Sequence, residues 1–152
     1  MMFKTHLALA FLTGLFSIEI FNPANQILFM LLILFGGLLP DIDHPKSKIG
    51  RYFKPISFLF EHRGFFHSFL FLPILSLLIY ILLKTNTFTL PILIGYSSHL
   101  ISDAITKEGI MPLHPLSKFR IKGFIYTGKM LEFTLFILLL VLSVWKLFSV
   151  TM

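Results

Sequence analysis

The sequence contains no cysteine and few acidic side chains. Its 152 residues include seven aspartates and glutamates, 13 lysines and arginines, and a single tryptophan. Without cysteine, disulfide bonds and thiolate metal sites are excluded, so any metal must be held by nitrogen and oxygen ligands. The chain also lacks a Gly-x-Ser-x-Gly nucleophile motif and a glycine-rich phosphate loop ending in Lys-Ser or Lys-Thr. These two absences argue against a serine-nucleophile active site of that type and against a nucleotide-phosphate site of the P-loop type.

The chain is instead rich in long apolar segments. Hydrophobic residues make up 56% of it, and the mean hydropathy is +0.87, which is too apolar for a soluble domain of this length. Five stretches approach the roughly 20 residues that a helix needs to cross a bilayer. They cover approximately residues 6–21, 27–39, 65–83, 89–105 and 131–148. The sequence therefore predicts an all-α integral membrane helical bundle of about five transmembrane helices, forming a single domain over residues 1–152.

Positive charge is distributed unevenly among the predicted loops. Most lysines and arginines lie in 44–64 and 107–130, whereas 21–26 has no charge and 84–88 has one lysine. Because short cytoplasmic loops are enriched in Lys and Arg, we expect a multi-pass protein of the cell (inner) membrane with its N-terminus inside. Orientation and attraction to anionic lipid explain the net charge of +6, so no nucleic-acid partner is expected. A signal peptide is the rival interpretation of the N-terminus, but no clear cleavage site follows.

This topology brings most of the ionisable groups within the apolar segments to one side of the membrane. Eight of them have the chemistry of metal ligands, and they come from four different predicted helices: His6, Asp41, Asp43, His44, His62, His67, His99 and Asp103. His99 and Asp103 are four residues apart, so both project from one helical face and can reach one ion. Charged groups inside a membrane are costly and usually face a bundle interior or a wet cavity. We therefore expect the eight to share one cavity.

Imidazole and carboxylate donors without thiolate favour a transition metal over calcium or magnesium alone. Eight candidates exceed the four ligands of a single zinc site, so the sequence predicts one or two divalent ions, with zinc first and manganese, iron or nickel as alternatives. Two adjacent ions are the arrangement that clamps a phosphoester during hydrolysis. Some of the eight residues would then orient the ligands through hydrogen bonds.

Each residue also has a simpler explanation when taken alone. A histidine at a membrane interface is often only an amphipathic side chain, and Asp41 and Asp43 after Pro40 could end a helix. Their convergence from four helices is what favours a metal site. His114 lies between two prolines in a predicted loop, and there we expect a structural or interfacial role.

Three motifs resemble those of the YdjM-like family of membrane-bound proteins, whose label implies metal-dependent hydrolysis. They are Pro-Asp-x-Asp-His at 40–44, His-Arg-x-x-x-His-Ser at 62–68 and His-x-x-x-Asp at 99–103. The resemblance spans nearly the whole chain and implies a compact α-helical membrane bundle. One departure is Phe66, where the family commonly has threonine, and we expect it to alter packing more than ligation. The loop sequence at His114 also departs from the family, which argues against a ligand role there.

The functional hypothesis is a metal-dependent hydrolase that acts at the cytoplasmic face on an ester or phosphoester, with a membrane lipid or lipid-linked molecule as substrate. Arg63 would neutralise a phosphate or carboxylate, and Glu132 or Glu61 would act as general base. The alternatives are a metal-binding or metal-transporting protein without hydrolytic activity, and a structural protein with a buried polar network. A homodimer is left open.

Overall fold

The computed structural model of the protein describes residues 1–43, 63–85 and 87–151. They form five α-helices, and the other regular structure in these ranges is two short 3₁₀ turns, Leu39–Asp43 and Phe65–His67, and two isolated β-bridges. The helices are α1 (Phe3–Phe21), α2 (Gln26–Gly36), α3 (Phe71–Leu83), α4 (Thr89–Ala104) and α5 (Met130–Thr151). The predicted all-α class is confirmed, and each predicted apolar segment overlaps one helix.

Three segments are long and apolar enough to cross a membrane. They are Phe3–Phe21, Gln26–Asp43, in which α2 is extended by the first 3₁₀ turn, and Met130–Ser149. Helix α3 is apolar but has 13 residues, which give about 20 Å of helix against a hydrocarbon core of about 30 Å. Large side chains such as Leu82 and Trp145 are exposed on the outer helices, as expected for surfaces in contact with lipid. The prediction of a membrane bundle is therefore confirmed.

The start of α3 differs from the prediction, which placed a helix from residue 65. The backbone N–H of Phe69 and the hydroxyl of Ser68 both donate to the carbonyl oxygen of Pro112, each at 2.9 Å. The Ser68 hydroxyl also accepts from the N–H of Leu70 at 3.0 Å. This segment therefore bonds to the loop between α4 and α5, and the helix begins only at Phe71. Hydropathy could not reveal this boundary, since the residues on both sides of it are apolar.

Glycines allow α2 and α4 to pack backbone against backbone. A Cβ atom on Gly36 would lie 2.2 Å from the carbonyl oxygen of Ile92, and one on Gly95 would lie 1.9 Å from that of Ile33. Such contact at small residues is the usual way in which membrane helices approach closely. The Gly36-Gly37 pair therefore lies where the two helices approach closely. The contact also brings the carbonyl oxygen of Gly37 to the side chain of His99.

The two ends of the bundle differ in polarity. One end gathers the first turn of α1, the two 3₁₀ turns, the last turns of α4 and the first turn of α5, and it contains buried His, Asp, Arg and Glu side chains. Near the other end, Lys146 of α5 forms an ion pair with Glu19 of α1. Lys146 also lies over the ring of Phe16, at 4.7 Å from its centroid. The ion pair explains how α5 carries a lysine close to its distal end.

Candidate metal centre

Three buried histidines from three different segments meet at the polar end of the bundle. His6 lies in the first turns of α1, His67 ends the second 3₁₀ turn, and His99 lies in α4. The rings of His6 and His99 stack with centroids 3.8 Å apart and planes within 4°. The ring of His67 meets that of His99 edge-on at 5.3 Å. The three imidazoles thus form one cluster, although their positions in the chain are far apart.

The carboxylate of Asp103 lies at the centre of this cluster. Its oxygens are 3.5 Å from Nε2 of His6, 3.5 Å from Nε2 of His67 and 3.8 Å from Nε2 of His99. Asp103 follows His99 by one helical turn, which is the spacing that the sequence singled out. All three histidines therefore turn the same ring nitrogen toward one carboxylate, at distances longer than a hydrogen bond.

Asp41 supplies a second carboxylate from the 3₁₀ turn after α2. One of its oxygens is 3.8 Å from Nε2 of His99, and its side chain is 19% exposed, against 2% for that of Asp103. Two overlapping groups of ligand atoms result, each with its atoms within 4.8 Å of one another: His6, His99 and Asp103, and Asp41, His67 and His99. Asp41 is therefore the more exposed of the two carboxylates.

The other ring nitrogen of each histidine is held by a hydrogen bond. Nδ1 of His99 donates to the carbonyl oxygen of Gly37 at 2.8 Å, and Nδ1 of His67 lies 3.2 Å from the carboxylate of Asp43. Nδ1 of His6 lies 2.6 Å from the hydroxyl of Ser102, which donates its single hydrogen to the carbonyl oxygen of His99. The hydroxyl therefore accepts from His6, and each of the three rings has a hydrogen-bond acceptor at Nδ1.

When Nδ1 carries the only proton of a ring, the lone pair of Nε2 is directed at a carboxylate oxygen. Two acceptors that face each other repel unless a cation lies between them, and Nε2 of His99 has no hydrogen-bond partner among the described residues. Histidines that bind metal through one nitrogen and donate through the other to a carboxylate or carbonyl show the same arrangement. The donor set and its hydrogen bonds therefore fit a divalent cation at this position.

Arg63 lies directly behind Asp103. Its Nη2 is 3.2 Å from Asp103 and 3.2 Å from Glu108, and its Nη1 donates to the hydroxyl of Thr106 and the carbonyl oxygen of Gly109. The backbone of Arg63 is in the left-handed region, with φ at 60°, and its N–H donates to Asp43. The guanidinium thus connects the centre to the loop that follows α4.

Glu132 and the N-terminal segment close another side of the centre. The amine of Met1 contacts the carboxylate of Asp103, while the N–H of Met2 donates to Glu132 at 2.5 Å. The second oxygen of Glu132 accepts from the N–H of Gly128 at 2.6 Å. Glu132 is fully buried, and both of its oxygens bond to backbone amides, so its proposed role as general base stays a prediction.

Of the eight predicted ligands, the structure brings five together at the centre: His6, Asp41, His67, His99 and Asp103. Asp43 lies behind His67 as its hydrogen-bond partner. His44, His62 and the predicted base Glu61 lie outside the described residues.

Sequence reasoning missed two hydrogen-bond partners of the ligands, Ser102 and the carbonyl oxygen of Gly37. Ser68 and Ser98 are not such partners, because their hydroxyls donate to the carbonyl oxygens of Pro112 and Gly95. Ser102 lies three residues after His99 on the same helical face, and this spacing could have indicated that its hydroxyl lies near the ligands.

Comparison with known proteins places the chain in a family. The profile of the YdjM inner membrane protein family matches residues 1–151. The uncharacterized protein YvsG of Bacillus subtilis (strain 168) is 39% identical over 102 residues, covering 64% of each chain. The inner membrane protein YdjM of Escherichia coli (strain K12) is 38% identical over 120 residues, which cover 71% of this chain and 61% of the relative.

The matched region thus spans less than two thirds of the length of these relatives. No solved structure matches the chain. The family profile covers all three motifs and every residue at the candidate metal centre. From this match and the membrane-spanning helices we conclude that the chain is a membrane protein of the YdjM inner membrane protein family.

Proposed function

We propose that this chain is a membrane hydrolase that uses divalent metal at the cytoplasmic face to cleave an ester or phosphoester of a lipid or lipid-linked molecule. The observation that supports this most is the set of three histidines whose Nδ1 atoms are occupied and whose Nε2 atoms face Asp103. In a centre built only for structure, we would expect Nε2 of His99 to have a hydrogen-bond partner, and among the described residues it has none. The three Nε2 atoms converge on the Asp103 carboxylate at 3.5–3.8 Å, which leaves room for a cation.

The residues that would hold the ion are His6, His67, His99, Asp41 and Asp103. Since Nδ1 of His99 is bonded to Gly37, the ring offers one nitrogen, and the two overlapping ligand groups cannot both use it for separate ions. We therefore favour one ion. A second ion would fit only if a carboxylate bridged the two ions. Nitrogen and oxygen donors without sulfur suit zinc, and also manganese, iron or nickel.

When bound, such an ion would lower the pKa of a coordinated water and polarise the scissile oxygen. The protein's own residues supply orientation. Ser102, Asp43 and the Gly37 carbonyl fix the three rings, and Asp41 is the ligand on the accessible side. A substrate would therefore approach past Asp41. The general base stays a prediction, because Glu132 bonds to backbone amides and Glu61 lies outside the described residues.

The position of the centre supports a lipid or lipid-linked substrate. It lies at the ends of membrane-spanning helices, where headgroups would be. A metal transporter is the alternative, and its ion path would have to continue through the bundle. Within the described residues, both candidate ligand groups lie at one end, and the Glu19–Lys146 ion pair lies at the other. This one-sided arrangement favours a pocket over a path.

The test is the divalent metal content of detergent-purified protein, measured by mass spectrometry. We expect about one ion per chain in the wild type and none in the double variant His99→Ala, Asp103→Ala. His114→Ala removes a histidine outside the centre and should retain the metal. Metal-loaded wild type should then hydrolyse a lipid phosphoester or ester that the double variant leaves intact. A wild type that takes up no zinc, manganese, iron or nickel would remove the basis of the proposal.

A further inference from the structure

The guanidinium of Arg63 has one donor that the fold leaves unused. Nη1 and Nη2 are engaged by Thr106, Gly109, Asp103 and Glu108, but Nε is buried and has no hydrogen-bond partner among the described residues. A buried donor without an acceptor destabilises the folded state. Such a group in a native structure calls for an explanation, and a ligand that supplies the acceptor is one.

The unused donor shares an edge of the guanidinium with Nη2. The Nε–H and one Nη2–H of arginine point in parallel, and this fork binds carboxylate or phosphate through two oxygens. In the structure, a Glu108 oxygen lies 3.2 Å from Nη2. Nη2 donates a hydrogen bond to Asp103 at 3.2 Å, and Glu108 lies beside it as an ion-pair partner without a hydrogen bond, so the Nε side of the fork has no acceptor among the described residues.

Glu108 is also the partner that can move away most easily. Its side chain is 60% exposed, whereas that of Arg63 is 7% exposed. Because the Glu108 carboxylate is largely in water, solvent screens its ion pair with Arg63 more than it would screen a fully buried pair. The other partners of Arg63 are buried, so displacement of Glu108 would uncover the fork without disturbing Asp103.

We propose that Arg63 binds a phosphate group of the substrate through Nε and Nη2, and that the Glu108 carboxylate occupies part of this subsite until the phosphate displaces it. The proposal rests on the proposed hydrolase function, since Nη2 of Arg63 also contacts Asp103 of the metal centre. It adds that the substrate is a phosphoester, and that Glu108 competes with it. A second positively charged side chain, that of Arg120, lies nearby and donates to the backbone carbonyl oxygen of Glu108 at 3.0 Å.

The experiment measures phosphate binding by calorimetry for the protein in phosphatidylcholine nanodiscs. Inorganic phosphate is one probe, and short-chain phosphatidic acid is the other. In Glu108→Gln we expect about three- to tenfold tighter binding, because a competing charge is lost. Arg63→Lys should weaken binding about tenfold or more, because lysine cannot form the fork. Glu19→Gln makes the same change in net charge near the other end of the bundle and should leave binding unchanged.

The two probes distinguish the source of the phosphate. Tighter binding of both probes in Glu108→Gln supports a subsite for the phosphate group itself, and an effect on phosphatidic acid alone supports a lipid headgroup. Equal affinities in wild type and Glu108→Gln, or an equal gain in Glu19→Gln, overturn the proposal. Glu108 is exposed, so its variant tests the idea even if Arg63→Lys does not fold.

Metal content, measured on the same samples, separates this proposal from the hydrolase proposal. A wild type that holds metal and hydrolyses a phosphoester while Glu108→Gln binds phosphate no more tightly would overturn the Arg63 subsite alone. A wild type without metal in which Glu108→Gln still binds phosphate more tightly would overturn the hydrolase alone.

Discussion

The carboxylate of Asp43 lies 3.2 Å from Nδ1 of His67, and this contact turns Nε2 of the same ring toward Asp103 at 3.5 Å. Asp43 also accepts the backbone N–H of Arg63. One carboxylate therefore orients a candidate ligand and anchors the segment that leads to it. Three aspartates lie in this region, and their roles differ: Asp41 and Asp103 face the centre, and Asp43 supports it from behind.

The first prediction follows from that difference. Asp43→Asn should keep one metal ion per chain but weaken metal affinity by about 10- to 100-fold, the usual effect of losing the hydrogen-bond partner of a ligating histidine. Competition with a chelator of known affinity measures this. Asp41→Asn removes a proposed ligand and should weaken metal affinity at least as much as Asp43→Asn does. Wild-type affinity in Asp43→Asn would mean that the contact with His67 does not tune the centre.

Ser102 offers a second test within one helix. Its hydroxyl fixes the tautomer of His6, while the hydroxyl of Ser98, one turn earlier, donates only to the Gly95 carbonyl oxygen. Ser102→Ala should therefore weaken metal affinity about tenfold, and Ser98→Ala should leave it unchanged. Similar affinities in the two variants would contradict the role assigned to Ser102. Both changes remove one hydroxyl oxygen from α4, so any general effect on the stability of this helix cancels when the metal affinities of the two variants are compared.

The contact between α2 and α4 leads to a prediction about stability. Gly95→Ala would place a Cβ 1.9 Å from the Ile33 carbonyl oxygen, so the helices must separate, and the free energy of unfolding should fall by about 3 kcal/mol or more. Gly128 has φ at 78° and open space around it. Gly128→Ala should therefore cost only about 1 kcal/mol, from backbone strain. Thermal unfolding in detergent compares the two, and a larger loss at Gly128 would refute the packing argument.

Membrane orientation can be tested with single cysteines, because the natural chain has none. Lys84 follows α3 and Lys129 precedes α5, and both are exposed. With the N-terminus inside, a membrane-impermeant maleimide added outside intact cells should label Lys84→Cys and not Lys129→Cys. Labelling after lysis serves as the control that both thiols react. The reverse pattern would place the metal centre at the outer face and contradict a cytoplasmic substrate.

The sequence predicts the helices well because their signal is local. Long apolar runs identify α1, α2, α4 and α5 within a few residues, since a bilayer demands that length and polarity. The predicted start of α3 was wrong. The actual start depends on hydrogen bonds to the Pro112 carbonyl oxygen, which lies more than 40 residues away in the chain. No local pattern records a contact of that kind.

The candidate ligands were predictable for a related reason. Charged groups at helix ends are rare in a membrane, so His6, His99 and Asp103 are conspicuous, and the positive-inside rule gathers them on one side. The partners of Arg63 were not predictable, because Thr106, Glu108 and Gly109 belong to a loop without periodicity. The Gly37 carbonyl oxygen was not predictable as a partner of His99 either. Every residue has a carbonyl oxygen, and only the packing of α2 on α4 brings this one to the histidine.

The donors of the centre are spread along the chain at positions 6, 41, 67, 99 and 103. The ribosome delivers them in that order, so the set is incomplete until α4 has entered the membrane. An ion that arrives earlier finds at most His6, Asp41 and His67, and these lack His99, which belongs to both ligand groups. On the proposed function, metal uptake is therefore a late step of biogenesis, carried out by a bundle that is already inserted.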